Sequence, residues 1–266
     1  MYTASFYRGL YILTEEFKMK AIIVDLDRTL LRTDKTLSEY TVNVLKKCHS
    51  KGLAIIAATA RPQRSILTYH EQVGFDAFIT MTGAKVILPN EVIDNSLPRL
   101  SGERVLSELI SIPDTLISIE TGDGVYSNFA IPEWNSICYD DFPNLPANVT
   151  LYKILTGSSD NTLYDKINNL LTDDVYYTVA NKTLLQIMSK KATKWNGIKA
   201  ALEALNISQA DAVYFGDDND DIEPIQMCGI GVAVSNAIEA VTNVADHITG
   251  SNDEDGVAHF IEANLL

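Results

Sequence analysis

KAIIVDLDRT, residues 20–29, is the stretch from which the fold can be read. Lys20 to Val24 is short, apolar and rich in β-branched residues, which predicts a parallel strand buried on both faces. Two carboxylates, Asp25 and Asp27, follow at once. In open α/β sheets ligands bind beyond the carboxyl ends of the strands, which is where this acidic pair falls, and the i, i+2 spacing lets both side chains project into one loop region.

Working outward, Ser38 is placed to cap a helix over SEYTVNVLKKCHSK that Gly52 ends. LAIIAA (53–58) repeats the buried-strand pattern, and Pro62 opens a further helix. Strand–helix–strand alternation of this kind predicts a parallel sheet with right-handed crossovers. After Gly83 the texture changes. AKVILPNEVIDN (84–95) reads as a hairpin turning at Pro89-Asn90. Helix-like and strand-like segments follow to about residue 190, LISIE, VTLYKIL, VYYTVA and TLLQIMS among them, and several read as antiparallel and buried on one face. The buried pattern resumes near Lys194 with the helix WNGIKAALEAL, the strand AVYF, the loop GDDNDD, a helix, the strand GIGVAV and a terminal helix from about Asp253. The expectation is an α/β fold, a doubly wound parallel-sheet core interrupted by an α+β insertion. The core takes residues 19–83 and 190–266, the insertion 84–189, and residues 1–18 form an appended segment.

Bulk properties narrow the function. The 266 residues are 46% hydrophobic, enough for more than one average core, and no low-complexity stretch interrupts them. A net charge of -14 repels a phosphate backbone and argues against nucleic acid as a partner. It does not argue against a small anion, because a metal ion and a few local cations can reverse the field inside one cleft. Cys48, Cys138 and Cys228 lie far apart, so a reducing cytoplasm is expected rather than a disulfide framework. The four histidines show no zinc-ligand spacing. No run approaches the roughly 20 apolar residues of a membrane span. In the first eighteen residues Arg8 interrupts the apolar stretch and no cleavage site is obvious, so they read as a helix or tail, with Met19 as an alternative start.

Three further groups carry chemistry. Thr59 ends the second strand, and its hydroxyl can donate to a phosphoryl oxygen. Lys194 stands near a helix start, where the macrodipole disfavours a cation, which suggests another use for its charge. Gly216-Asp217-Asp218-Asn219-Asp220-Asp221 places four acids in six residues at the carboxyl end of a strand, a donor set suited to a hard cation.

In this order and spacing, Asp25-x-Asp27-x-Thr29, Thr59, Lys194 and the acidic loop resemble the four signature motifs of the haloacid dehalogenase (HAD) superfamily. The insertion between the second and third motifs looks like the cap of its Cof-like phosphatase branch. The resemblance runs from Met19 to the C-terminus, through Gly231–Ala237 and Gly256-Val257. It implies that Asp25 attacks phosphorus, and that Asp27 protonates the leaving oxygen and later deprotonates water. For the first step Asp27 must hold a proton, which a neighbouring carboxylate would promote. Thr59, the Ala60 position and Lys194 would bind the phosphate. Asp25, the Asp27 carbonyl, Asp217 and Asp221, the last directly or through water, would bind Mg2+. Four carboxylates and a phosphate dianion need such cations in one cleft.

Arg28, Ala60 and Asp220 depart from the residues usual at their positions, the first two replacing glycine. Asp123, Tyr126 and Asn128 lie in a cap turn from which substrate could be reached. The implied substrate is a small phosphorylated metabolite, such as a sugar phosphate. Oligomeric state is not readable. A phosphomutase shares the aspartyl-phosphate chemistry, and a catalytically retired phosphate-binding protein shares the fold. Receiver proteins are half as long, and Gly229 and Gly231 lack the third glycine of a dinucleotide fingerprint.

Overall fold

The computed structural model describes residues 19–157, 161–180 and 183–266. The expected amino-terminal extension lies outside them. Strands β1 (Ala21–Val24), β2 (Ala54–Ala58), β3 (Ala77–Thr80), β4 (Lys85–Ile87) and β5 (Val92–Asp94) begin the chain. They are followed by β6 (Ile117–Thr121), β7 (Val125–Ser127), β8 (Ile137–Cys138), β9 (Leu151–Gly157), β10 (Val175–Ala180) and β11 (Leu184–Ser189). The last three are β12 (Ala212–Gly216), β13 (Ile230–Val234) and β14 (His247–Thr249). One eight-stranded sheet has the order β14-β13-β12-β1-β2-β3-β4-β5, and one six-stranded sheet the order β10-β11-β9-β6-β7-β8.

The first sheet is parallel from β14 to β3 and is doubly wound, because β2 and β12 flank β1 on opposite sides. Its strands are apolar on both faces because both are covered. Ile22, Val24, Ile55, Val213 and Phe215 pack under helices α1 (Glu39–Ser50) and α2 (Leu67–Val73), and under the terminal helix of residues Gly256–Asn264. Ile23, Ile56 and Tyr214 pack on the other face against Trp195, Ile198 and Leu202 of the helix Lys194–Ala204. Each buried aliphatic side chain contributes about 1.5–3 kcal/mol, so this double layer holds the strand ends rigidly. Local signals behave as the sequence predicts for α1, where Ser38 Oγ accepts from Thr41 N at 2.9 Å. Past Pro62 the chain makes a 3-10 turn, Gln63–Ser65, before α2 begins at Leu67.

The hairpin of 85–94 forms as expected, closed by Leu88 N donating to Glu91 O at 2.9 Å. It pairs with β3, however, so it extends the first sheet and not the inserted one. Period-2 alternation identifies a hairpin but carries no information about which sheet edge completes it. The inserted sheet packs one face on helices α3 (Arg99–Ile110) and α4 (Asn161–Leu170) through Ile117, Ile119, Ile154, Leu185 and Ile187. A bulge between Glu120 and Thr121 shifts the register against β9. Bulges of this kind re-aim side chains beside a site.

Candidate active site

β1, β2 and β12 run in register, Val24 facing both Ala57 and Phe215, so their carboxyl ends deliver Asp25, Thr59 and Asp217 to one crevice. Asp25 is only 4% exposed. Lys194, at the start of its helix and 3% exposed, donates to Asp25 Oδ1 at 2.9 Å and Asp221 Oδ1 at 2.6 Å, and lies 3.2 Å from Asp220 Oδ1. Its helix is capped by Thr193, whose Oγ1 accepts from Asn196 N at 3.1 Å. Gly83 touches the same cap: a Cβ there would fall 2.1 Å from Thr193 O, so only glycine allows the approach.

Asp221 organises the acidic loop. Its Oδ1 accepts from Lys194 and from the Tyr214 hydroxyl at 2.5 Å, and its Oδ2 from the backbone N–H of Asp217 at 2.8 Å and Asp218 at 3.0 Å. Those bonds fill the acceptor capacity of a carboxylate. Gly216 makes room for it, since a Cβ there would lie 2.5 Å from the Asp221 side chain. Asp217 accepts from Thr29 Oγ1 at 3.0 Å, and Arg28 Nε approaches it at 3.8 Å.

The electrostatics show a cluster short of positive charge. Burial, together with Asp221, Asp217 and Asp220, raises the Asp25 carboxyl well above its ordinary range, against the opposing pull of Lys194. Burial, and next Asp221, pushes Asp217 up to about 7. Burial also raises Asp220. Carboxylate oxygens of Asp25, Asp217 and Asp221 lie within 4.8 Å of one another. An all-oxygen, anion-rich donor set of this size fits a hard divalent cation.

Asp27 has the opposite surroundings. Arg61 grips it with Nε to Oδ2 at 2.6 Å and Nη2 to Oδ1 at 2.8 Å, and Lys35 Nζ adds a bond to Oδ1 at 2.7 Å. Burial pushes its carboxyl up, but hydrogen bonds and charge from Arg61 and Lys35 outweigh this and bring it down to about 2. The expectation of a proton-holding Asp27 beside another carboxylate is therefore corrected: here it is ionised, because its close neighbours are cations.

Of the residues singled out in the sequence, Asp25, Lys194, Asp217, Asp220 and Asp221 come together. Thr59 is buried beside them, with Oγ1 accepting from Arg61 N at 3.1 Å, and Ala60 is exposed next to it. Arg28 takes a left-handed φ of 62°, held by Asn236 Nδ2 donating to its carbonyl at 2.8 Å. Asp123, Tyr126 and Asn128 do not join the site. Asp123 accepts from Thr121 and Tyr126, and Asn128 bonds to Thr115 and Ile117, as ordinary turn residues do. Sequence reading missed Lys35, Arg61, Tyr214 and the link from Thr29 to Asp217. Only Arg61 carried a signal, as a cation two residues after Thr59.

A family model described as haloacid dehalogenase-like hydrolase matches residues 22–261. A curated relative, the 5-amino-6-(5-phospho-D-ribitylamino)uracil phosphatase YitU of Bacillus subtilis, is 28% identical over 93% of this chain and 98% of its own length. Among solved structures, one from Bacteroides thetaiotaomicron, reported among phosphatases of the haloalkanoate enzyme superfamily, superposes with a TM-score of 0.82 at 23% identity, covering 97% of this chain and 98% of that one. The subclass IIB sugar phosphatase BT4131 superposes at 0.77 with 20% identity, covering 92% and 98%.

Proposed function

The chain belongs to the haloacid dehalogenase-like hydrolase family, and on that premise we propose that it is a magnesium-dependent phosphatase acting on a small phosphorylated metabolite through an aspartyl-phosphate at Asp25. The observation that carries this reading is the buried cluster of Asp25, Asp217, Asp220 and Asp221 around the ammonium of Lys194. The activities named for these two relatives, on a phosphorylated ribitylaminouracil and on sugar phosphates, support the choice of substrate class.

In this reading the Asp25 carboxylate, steered by Lys194, attacks phosphorus and forms an acyl phosphate while the leaving oxygen departs. Lys194 and the Thr59 hydroxyl take up charge on the phosphoryl oxygens. Asp27 supplies the proton to the leaving oxygen, then removes one from the water that releases phosphate and regenerates Asp25. Because Arg61 and Lys35 hold Asp27 ionised, substrate entry must loosen that grip so that Asp27 takes a proton from solvent before the first transfer, and the proton it later removes from water returns to solvent as the grip re-forms. Asp25, Asp217 and the Asp27 carbonyl would hold Mg2+, which when bound offsets the charge of the carboxylates and the phosphate. Asp221 would act on that ion through its charge and through the acidic loop that its four hydrogen bonds hold in place, with a water-mediated contact requiring one of those bonds to be given up.

The six-stranded unit would serve as the cap. Arg64 and Glu120, and Lys153 and Thr82, already bridge it to the first sheet. Among the described residues no helix is long and apolar enough to cross a membrane. The three cysteines are free, which suits the expected cytoplasmic setting.

The test is phosphate release from a panel of sugar, polyol and nucleotide phosphates and p-nitrophenyl phosphate, with Mg2+ and with chelator, beside Asp25→Asn. Metal-dependent release that the variant abolishes is the expected result. Release that survives the substitution would sink the reading.

A further inference from the structure

The inserted sheet has two chemically different faces. Ile117, Ile119, Ile154 and Ile187 turn into the apolar layer under α3 and α4, so the alternation of a strand sends Glu120, Lys153 and Gln186 to the other side. That side meets the first sheet at the site. Glu120 and Lys153 are direct cross-strand partners. Arg64 takes Glu120, with Nη2 to its two oxygens at 2.9 and 3.1 Å. Lys153 Nζ donates to Thr82 Oγ1 at 3.1 Å, and the Thr82 N–H in turn donates to Thr59 O at 3.0 Å. Lys153 thus stands two hydrogen bonds from the phosphate-binding threonine, and its charge couples to both Asp220 and Lys194.

Lys153 is 3% exposed. Its hydrogen-bond acceptors, the Thr82 hydroxyl and the Gln186 carbonyl oxygen at 3.0 Å, are both neutral. Glu120 is already engaged by Arg64, and among the described residues no carboxylate lies within ion-pair distance of the Lys153 ammonium. Burial lowers its pKa to about 8 in spite of Asp220 and Glu120. A buried ammonium is costly when no anion touches it directly. Gln186 presents its Oε1 to Lys153, which leaves its NH2 as a second donor beside the ammonium. Two adjacent donors, one of them charged, match the two oxygens of a carboxylate.

We propose that Lys153, with Gln186 beside it, reads the leaving group by binding a carboxylate, so that the preferred substrate is a phosphorylated hydroxy acid. This rests on the phosphatase reading above and narrows its substrate class. Lys153 then acts as a specificity residue, and it takes no part in the transfer itself.

The experiment compares matched pairs with Mg2+ present: 3-phosphoglycerate against glycerol 3-phosphate, and 6-phosphogluconate against sorbitol 6-phosphate, with p-nitrophenyl phosphate as the reference. Wild-type protein is expected to favour at least one acid over its alditol by about tenfold or more in kcat/KM, mostly through KM, as an added charge-assisted contact requires. Lys153→Met should erase that preference, bringing the acid-to-alditol ratio of kcat/KM to within about threefold of one, and Lys153→Arg should retain part of it. Equal use of acids and alditols by wild-type protein overturns the inference and leaves the phosphatase standing, without reliance on any variant. So does a Lys153→Met loss shared equally by all substrates, p-nitrophenyl phosphate included. Failure to release phosphate from any compound overturns the phosphatase reading itself.

Discussion

Two carboxylates separated by one residue live in opposite electrostatic worlds. Asp25 faces three other acids and shares one ammonium with two of them, and its proton affinity is raised. Asp27, 37% exposed at its side chain, is held by a guanidinium and an ammonium of its own, and its proton affinity is lowered to about 2. The contrast shows how one short loop separates roles. The Asp25 side is built to receive positive charge. The Asp27 side keeps an ionised base in reserve, apart from the nucleophile, until the surroundings change.

The largest effect that could break this contrast is on chemistry. Asp25→Asn keeps the shape and removes the nucleophile, so phosphate release should fall by at least about 10³-fold, whereas a loss of under about tenfold would move the nucleophile elsewhere. Next is Lys194→Met. It leaves Asp25, Asp220 and Asp221 buried without their shared cation and should cost about 3–5 kcal/mol in denaturant unfolding of the metal-free protein. A near-neutral result would mean that these acids need no shared cation.

The third prediction uses pH. Asp217 titrates at about 7 in the folded protein against 3.8 ordinarily. The metal-free folded state therefore binds the extra proton between those values, and its stability falls as pH rises from about 4 to about 7. Asp217→Asn should flatten that slope, by up to roughly 4 kcal/mol across the window. Asp27 has the reverse sign. Its contribution is complete above about pH 4 and is lost as pH falls through about 2, and Asp27→Asn should cost only about 1 kcal/mol at neutral pH after discounting for solvent screening. Unfolding curves at several pH values would check both, and slopes of the same sign for the two variants would erase the distinction between the two regions.

Much of this was legible in the chain. The apolar runs 20–24, 53–58 and 212–215 place the strands, and acids at the strand ends place Asp25 and Asp217, because both signals are local. The hairpin 85–94 went to the other sheet because alternation is blind to which edge is vacant. The state of Asp27 was missed because its partners arrive through geometry: Lys35 from a loop residue with φ of 67°, and Arg61 from a turn past β2. Lys153 sits in VTLYKIL, where strand alternation alone does not tell a lysine facing water from one facing a second sheet. Only the pairing of β6 with β9 and the meeting of the two sheets show that it is buried beside Thr82.

The most direct test of the central claim is to trap the intermediate. Wild-type protein mixed with Mg2+ and its best substrate would be acid-quenched, reduced with borohydride and mapped by peptide mass spectrometry. The account predicts homoserine at position 25, in the peptide containing Ile22 to Thr29, and none in the Asp25→Asn protein. Reduction at another aspartate, or turnover with no residue reduced at any quench time, would contradict it.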